Sequence, residues 1–188
     1  MKKYSIKSIS HNDIWQSENI YHLKTDISRI SKLIYHYEIF KKISGIPGDI
    51  VEMGVFKGIS LIRFATYRAI LENNFSRTIY GFDDFGKFTP QKDKDDKNFI
   101  KMWTNAAGYG ISKKELEEIL NEKKFDNIKL IEGDISKTLP KFIRENKHLR
   151  ISLLHLDFDV YKPTKFALEK LFDKVVKGGL ILIDDFAG

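Results

Sequence analysis

Acidic residues close almost every apolar run in this sequence, and their grouping is the first sign of chemistry. Glu52 sits in DIVEMGV and leads into Gly54 and Gly58, IYGFDD ends at Asp83 and Asp84, and IKLIEGD ends at Asp134. LLHLDFD ends at Asp157 and Asp159, and LILIDD at Asp184 and Asp185. A single Asp in such a place is an ordinary helix N-cap. Gathered on one edge, the set repels itself, and a ligand or cation relieves that repulsion. Carboxylates are hard oxygen ligands that suit Mg²⁺, Mn²⁺ or Ca²⁺ rather than a soft metal. A cation held by the group Asp157, Asp159, Asp184 and Asp185 can lower the pKa of a bound hydroxyl, and a spare carboxylate can take its proton.

The elements that must position these residues follow from periodicity. Ile27, Ile30, Leu33, Ile34, Tyr37 and Phe40 recur at helical spacing behind Asp26, a plausible N-cap, and Gly45, Pro47 and Gly48 end that helix. Strands are expected at 49–55, 78–85, 128–134, 151–159 and 179–186. Helices are expected at 59–73, from a capping box at Ser112–Glu115 to about 123, at 138–146 and at 163–176. Residues 86–110 read as irregular, with Trp103 and Tyr109 as candidates for a lid. Strands that alternate with helices and are almost continuously apolar indicate an α/β fold, a mostly parallel sheet with helices on both faces. In such sheets ligands bind beyond the carboxyl ends of the strands, where the acids fall. Asp157 and Asp159, two apart on one expected strand, would address the same face.

The first turn, EMGVFKG, lacks the middle glycine of the dinucleotide fingerprint, and Phe56 stands in its place. That glycine lets a pyrophosphate approach the backbone, so the turn favours a cofactor without one. S-adenosylmethionine fits, with a methionine end for the glycine turn and a ribose for an acid such as Asp83 at the end of the second strand. Gly58 closes the same turn, and Asp134 ends the third strand on the cofactor side.

Composition narrows the class. The chain has 188 residues, 42% hydrophobic and 31% charged, which suits one globular domain: an N-terminal helical cap (1–44) and a core (45–188). With no cysteine, disulfides, thiolate metal sites and thiol catalysis are excluded. The net charge of +6 comes mostly from lysines dispersed among acids, as in KKELEEILNEKK, so nucleic acid is not an expected partner. No apolar stretch approaches the roughly 18 residues that cross a bilayer, and MKKYSIKSISHNDIW makes a poor signal peptide. The expected compartment is the cytoplasm, with no membrane partner. His36 reads as a surface or packing residue, and His155 as a buried strand residue.

Taken together, GIPGDIVEMGVFKGIS, IYGFDDFGKF, IKLIEGDISKTLP, and ISLLHLDFDVYKPTKFALEKLF through GGLILIDDF resemble the macrocin O-methyltransferase family. That family methylates sugar hydroxyls of macrolide and aminocoumarin antibiotics and related glycosides. The resemblance implies a Rossmann-like methyltransferase fold, S-adenosylmethionine as donor, a magnesium ion, and a small-molecule or glycoside acceptor. By position, Glu52 and Gly54 look like the cofactor turn and Asp83 like the ribose-binding acid. Asp157, Asp184 and Asp185 look like metal ligands, and Asp159 like the general base. Departures are His155, Phe158 and Pro163, where the family pattern usually has Arg, Gly and Ser. Family members also continue past Phe186 with a further helix and a pair of strands. The resemblance thus implies either that C-terminal strands are missing or that the apolar fifth strand pairs with a second copy. The competing readings are a non-catalytic binding protein of the same fold, and a haloacid-dehalogenase-like phosphohydrolase suggested by LDFDVY. The second expects Thr or Val where Tyr161 stands.

Overall fold

The computed structural model describes residues 10–86 and 94–184. The backbone forms two units, up to His36 and from Tyr37 onward. In the first, α1 (His11–Lys24) opens on a reciprocal capping box between Ser10 and Asp13, a helix the apolar spacing does not announce. The helix α2 (Ile27–Ile43) begins as expected behind Asp26, whose carboxylate accepts from the Ser28 N–H at 2.9 Å.

The second unit then runs β1 (Asp49–Met53), α3 (Ile59–Leu71), β2 (Ile79–Asp83), α4 (Lys94–Ala107), α5 (Lys113–Glu122), β3 (Ile128–Glu132), α6 (Ile135–Glu145), β4 (Ile151–Leu156), α7 (Tyr161–Leu171) and β5 (Val175–Ile183). The five strands form one parallel sheet in the order β3-β2-β1-β4-β5. Alternation along each strand divides the core. Ile50, Leu153 and Ile79 pack with Leu61 and Phe64 of α3 and Leu116 and Leu120 of α5. Val51, Met53, Tyr80, Phe82, Leu154 and Leu156 pack with Leu139 and Phe142 of α6 and Ala167 and Leu171 of α7. Helices therefore cover both faces, as the continuous apolar strands require. Among the described residues no helix is long and apolar enough to cross a membrane.

Two local readings change, and the cap expected at Ser112 holds. The 86–110 segment, read as irregular, contains α4. The strands end earlier than their sequence runs, β4 at Leu156 and not at Asp159, so Asp157 and Asp159 lie in the turn beyond it. Ser112 caps α5 by accepting from the Glu115 N–H at 3.2 Å. Asp185 and residues 87–93 lie outside the described residues, and the side chain of Trp103 is likewise not described.

The edge of the sheet where the strands begin is tied by two buried arginines. Arg68 donates to the carbonyls of Arg77, Asp126 and Asn127. Arg77 pairs with Glu72 and donates to the Ser152 hydroxyl at 2.6 Å and to the Gly48 carbonyl at 3.2 Å. Removing one partner of a buried pair strands the other, so Arg77→Ala is expected to destabilise the fold by about 3–5 kcal/mol. Denaturant unfolding measures this, and an unchanged midpoint would show that the clamp contributes nothing.

Candidate functional site

All five strands run parallel, so their carboxyl ends share one edge, and the chain changes direction of winding between β1 and β4. Just past each end, successive turns stay in line through the backbone. Gly133 N–H donates to the Asp83 carbonyl at 2.9 Å and Gly54 N–H to the Phe82 carbonyl at 2.9 Å. Asp157 N–H donates to the Met53 carbonyl at 2.8 Å and Asp184 N–H to the Leu156 carbonyl at 3.1 Å. Asp83, Asp157 and Asp184, among the acids expected from the sequence, are thereby held by one backbone ladder. Asp157 and Asp184 follow the paired residues Leu156 and Ile183 on neighbouring strands.

Glu52 is fully buried on β1, beside His155 in the parallel register and on the face that α3 covers. Its Oε1 accepts from the Ser60 hydroxyl at 2.7 Å. Its Oε2 has no hydrogen-bond donor among the described residues and lies 3.8 Å from His155 Nδ1. His155, buried as expected, has the edge of the Phe64 ring against it and places Nε2 4.0 Å from an Asp157 carboxylate oxygen. These ion-pair separations exceed hydrogen-bond range, so the coupling is electrostatic. Burial favours the neutral imidazole, but Glu52, with Asp157 and Asp184 behind it, outweighs burial and holds the pKa above the ordinary histidine value. His36 is buried too, which fits a packing residue rather than a surface one.

The turn after β1 fits against β4. Gly54 has φ +91°, and a Cβ there would overlap the Asp157 carbonyl oxygen. Only glycine allows the turn after β1 and the acid-bearing end of β4 to approach this closely. Gly58, in the left-handed region, precedes α3 as its N-cap residue. Across the turn, one Asp83 oxygen accepts from the Val55 and Phe56 N–H groups at 2.7 and 2.9 Å, and the other from the Phe85 N–H at 2.7 Å.

The remaining expected residues are more loosely tied. Asp134 is the N-cap of α6, at the end of the outermost strand. Its bond from Ser136, 2.8 Å from the backbone N–H, holds its carboxyl below the usual carboxylate range. Asp159 stands in the turn between β4 and α7 with φ +57°. Ser60 and Lys57, which donates to the Ala107 carbonyl at 2.6 Å, have no signature in the sequence, because each contact depends on how α3 and α4 meet the turn.

A parallel sheet with a glycine turn at its switch point and acids along the same edge defines a Rossmann-like fold of the methyltransferase type. The chain superposes on the calicheamicin methyltransferase CalS11 with a TM-score of 0.72 at 22% identity, covering 100% of this chain and 84% of that one. The family model of macrocin O-methyltransferase (TylF) matches residues 27–188, and the chain belongs to that family. It is 28% identical over 180 residues to 8-demethyl-8-(2,3-dimethoxy-α-L-rhamnosyl)-tetracenomycin-C 4'-O-methyltransferase of Streptomyces olivaceus, covering 92% of this chain and 65% of the relative. It is 26% identical over 149 residues to demethyldecarbamoylnovobiocin O-methyltransferase of Streptomyces niveus, covering 76% and 54%. The chain thus spans less than two thirds of the length of these relatives.

Proposed function

We propose that this chain is an S-adenosylmethionine-dependent, Mg²⁺-dependent O-methyltransferase acting on a hydroxyl of a sugar or glycosylated natural product. The observation that carries the reading is the join at the switch point, where the Gly54 turn and buried Glu52 meet Asp157 and Asp184 on one backbone ladder. Family membership supports the transfer of a methyl group to oxygen, and the rhamnosyl compound named for the Streptomyces olivaceus relative supports a glycoside acceptor.

The residues present fit both groups. Among the described residues Glu52 keeps one buried carboxylate oxygen without a hydrogen-bond donor, an acceptor suited to a cationic cofactor, and the glycine turn lies beside it. Asp157 and Asp184 offer hard oxygens from adjacent strand ends. In this assignment Glu52, Gly54, Gly58, Asp83 and Asp134 serve the cofactor half, and Asp157, Asp184 and Asp185 hold the cation. When bound, the donor supplies an electrophilic methyl group and the cation lowers the pKa of the acceptor hydroxyl. Asp159, from its half-buried turn, takes the hydroxyl proton on its carboxylate, and the His155 imidazole fixes the charge balance between Glu52 and Asp157.

Calorimetric titration with S-adenosylhomocysteine tests the cofactor assignment. Saturable binding is expected, weakened in Glu52→Gln by about 1.5–3 kcal/mol, the usual worth of a hydrogen bond to a charged group. Absence of binding, or tighter binding of NAD, would refute the assignment.

A further inference from the structure

Phe56 and Phe85 are both in the left-handed region, with φ +48° and +49°, where a bulky L-residue is a rare and strained outlier. Such strain persists only when surrounding contacts enforce it. Here the backbone N–H of each strained phenylalanine donates to the same carboxylate, that of Asp83. The Val55 N–H joins them on the oxygen that takes Phe56. Phe56 in turn gives its carbonyl to the Ile111 N–H at 2.8 Å, so the bend also aligns the segment that follows α4. Phe56 stands where a dinucleotide-type turn carries its middle glycine, the residue that would take this conformation without strain.

We propose that Asp83 is a positioning residue: its carboxylate straps the turns after β1 and β2 together and so replaces, by hydrogen bonding, the glycine absent at Phe56. It acts on the cofactor through the shape of the turn and not by gripping the ribose. This rests on the cofactor assignment above, in which the same turn receives S-adenosylmethionine.

Two probes separate the roles: S-adenosylhomocysteine and its counterpart lacking both ribose hydroxyls. Asp83→Ala should weaken both by the same factor, on the order of ten-fold or more, since three N–H groups lose a charged acceptor. In a Phe56→Gly background the same substitution should cost much less, because glycine holds the bend unaided; non-additivity of this kind marks residues acting as one unit. A penalty that disappears with the probe lacking ribose hydroxyls, or that Phe56→Gly leaves intact, would overturn the proposal in favour of direct ribose contact. If Asp83→Ala does not fold, Asp83→Asn, which keeps one acceptor oxygen, carries the same comparison with a smaller penalty. If the wild-type chain binds neither probe, the cofactor assignment falls, and amide hydrogen exchange in the ligand-free chain decides the strap. Exchange at Val55 and Phe56 should accelerate in the variant while Ile50–Met53 stays protected, and unchanged exchange would refute the proposal.

Discussion

Excess chelator is expected to abolish methyl transfer, by a factor on the order of 10³ or more, while S-adenosylhomocysteine still binds. Polarisation of a bound oxygen by a cation is worth several kcal/mol, and each 1.36 kcal/mol is a factor of ten in rate. Cofactor binding should survive because Glu52 and the Gly54 turn are held by protein contacts, the Ser60 hydroxyl and the Phe82 carbonyl. Asp157→Asn and Asp184→Asn should each reproduce the loss, with added Mg²⁺ restoring part of it by mass action. Isothermal titration with Mg²⁺ and a rate assay in chelator together check this. Full activity in chelator would reduce these acids to caps and contacts.

The second large effect is expected at Asp159. A hydroxyl is a poor nucleophile until its proton leaves, and a positioned base contributes about 10²–10⁴ in rate. Asp159→Asn should lower turnover within that range and leave Mg²⁺ affinity near the wild-type value. The substitution is a clean one, since the residue sits at φ +57° and Asn tolerates that conformation as readily as Asp. A collapse of metal affinity in this variant would make Asp159 a ligand and move the search for the base elsewhere.

Much of this arrangement is legible in the sequence, for identifiable reasons. Strands buried on both faces carry unbroken apolar runs, so IVEM, IYGF and LLHL announce a parallel sheet. The same feature misplaces their ends: nothing in LDFD distinguishes a continuing strand from the turn that begins after Leu156. The helix α4 escapes notice because Gly86, Pro90, Gly108 and Gly110 frame it and KDDKN opens it with charge. Yet Phe99, Ile100 and Trp103 carry helical spacing. The glycine at position 54 is visible, but its reason, the Asp157 carbonyl, is remote in sequence. Likewise Asp83 reads as a strand-end acid, whereas its three N–H donors come from two different turns. Arg68 and Arg77 carry no signature in a lysine-rich chain, because their partners are backbone carbonyls and, for Arg77, also Glu72 and the distant Ser152, which no motif records.

Those two arginines also bear on how such a protein diversifies. They close the edge of the sheet where the strands begin, and the carboxylates line the edge where they end, a strand of five residues or about 17 Å away. Groups so far apart contribute to folding free energy almost additively. A lineage can therefore accumulate changes around the acid edge without eroding the margin of stability that the arginine edge maintains. Conversely, a stabilising change at the arginine edge can offset a destabilising innovation at the other. Mutational tolerance and chemical novelty are lodged at opposite ends of the same five strands.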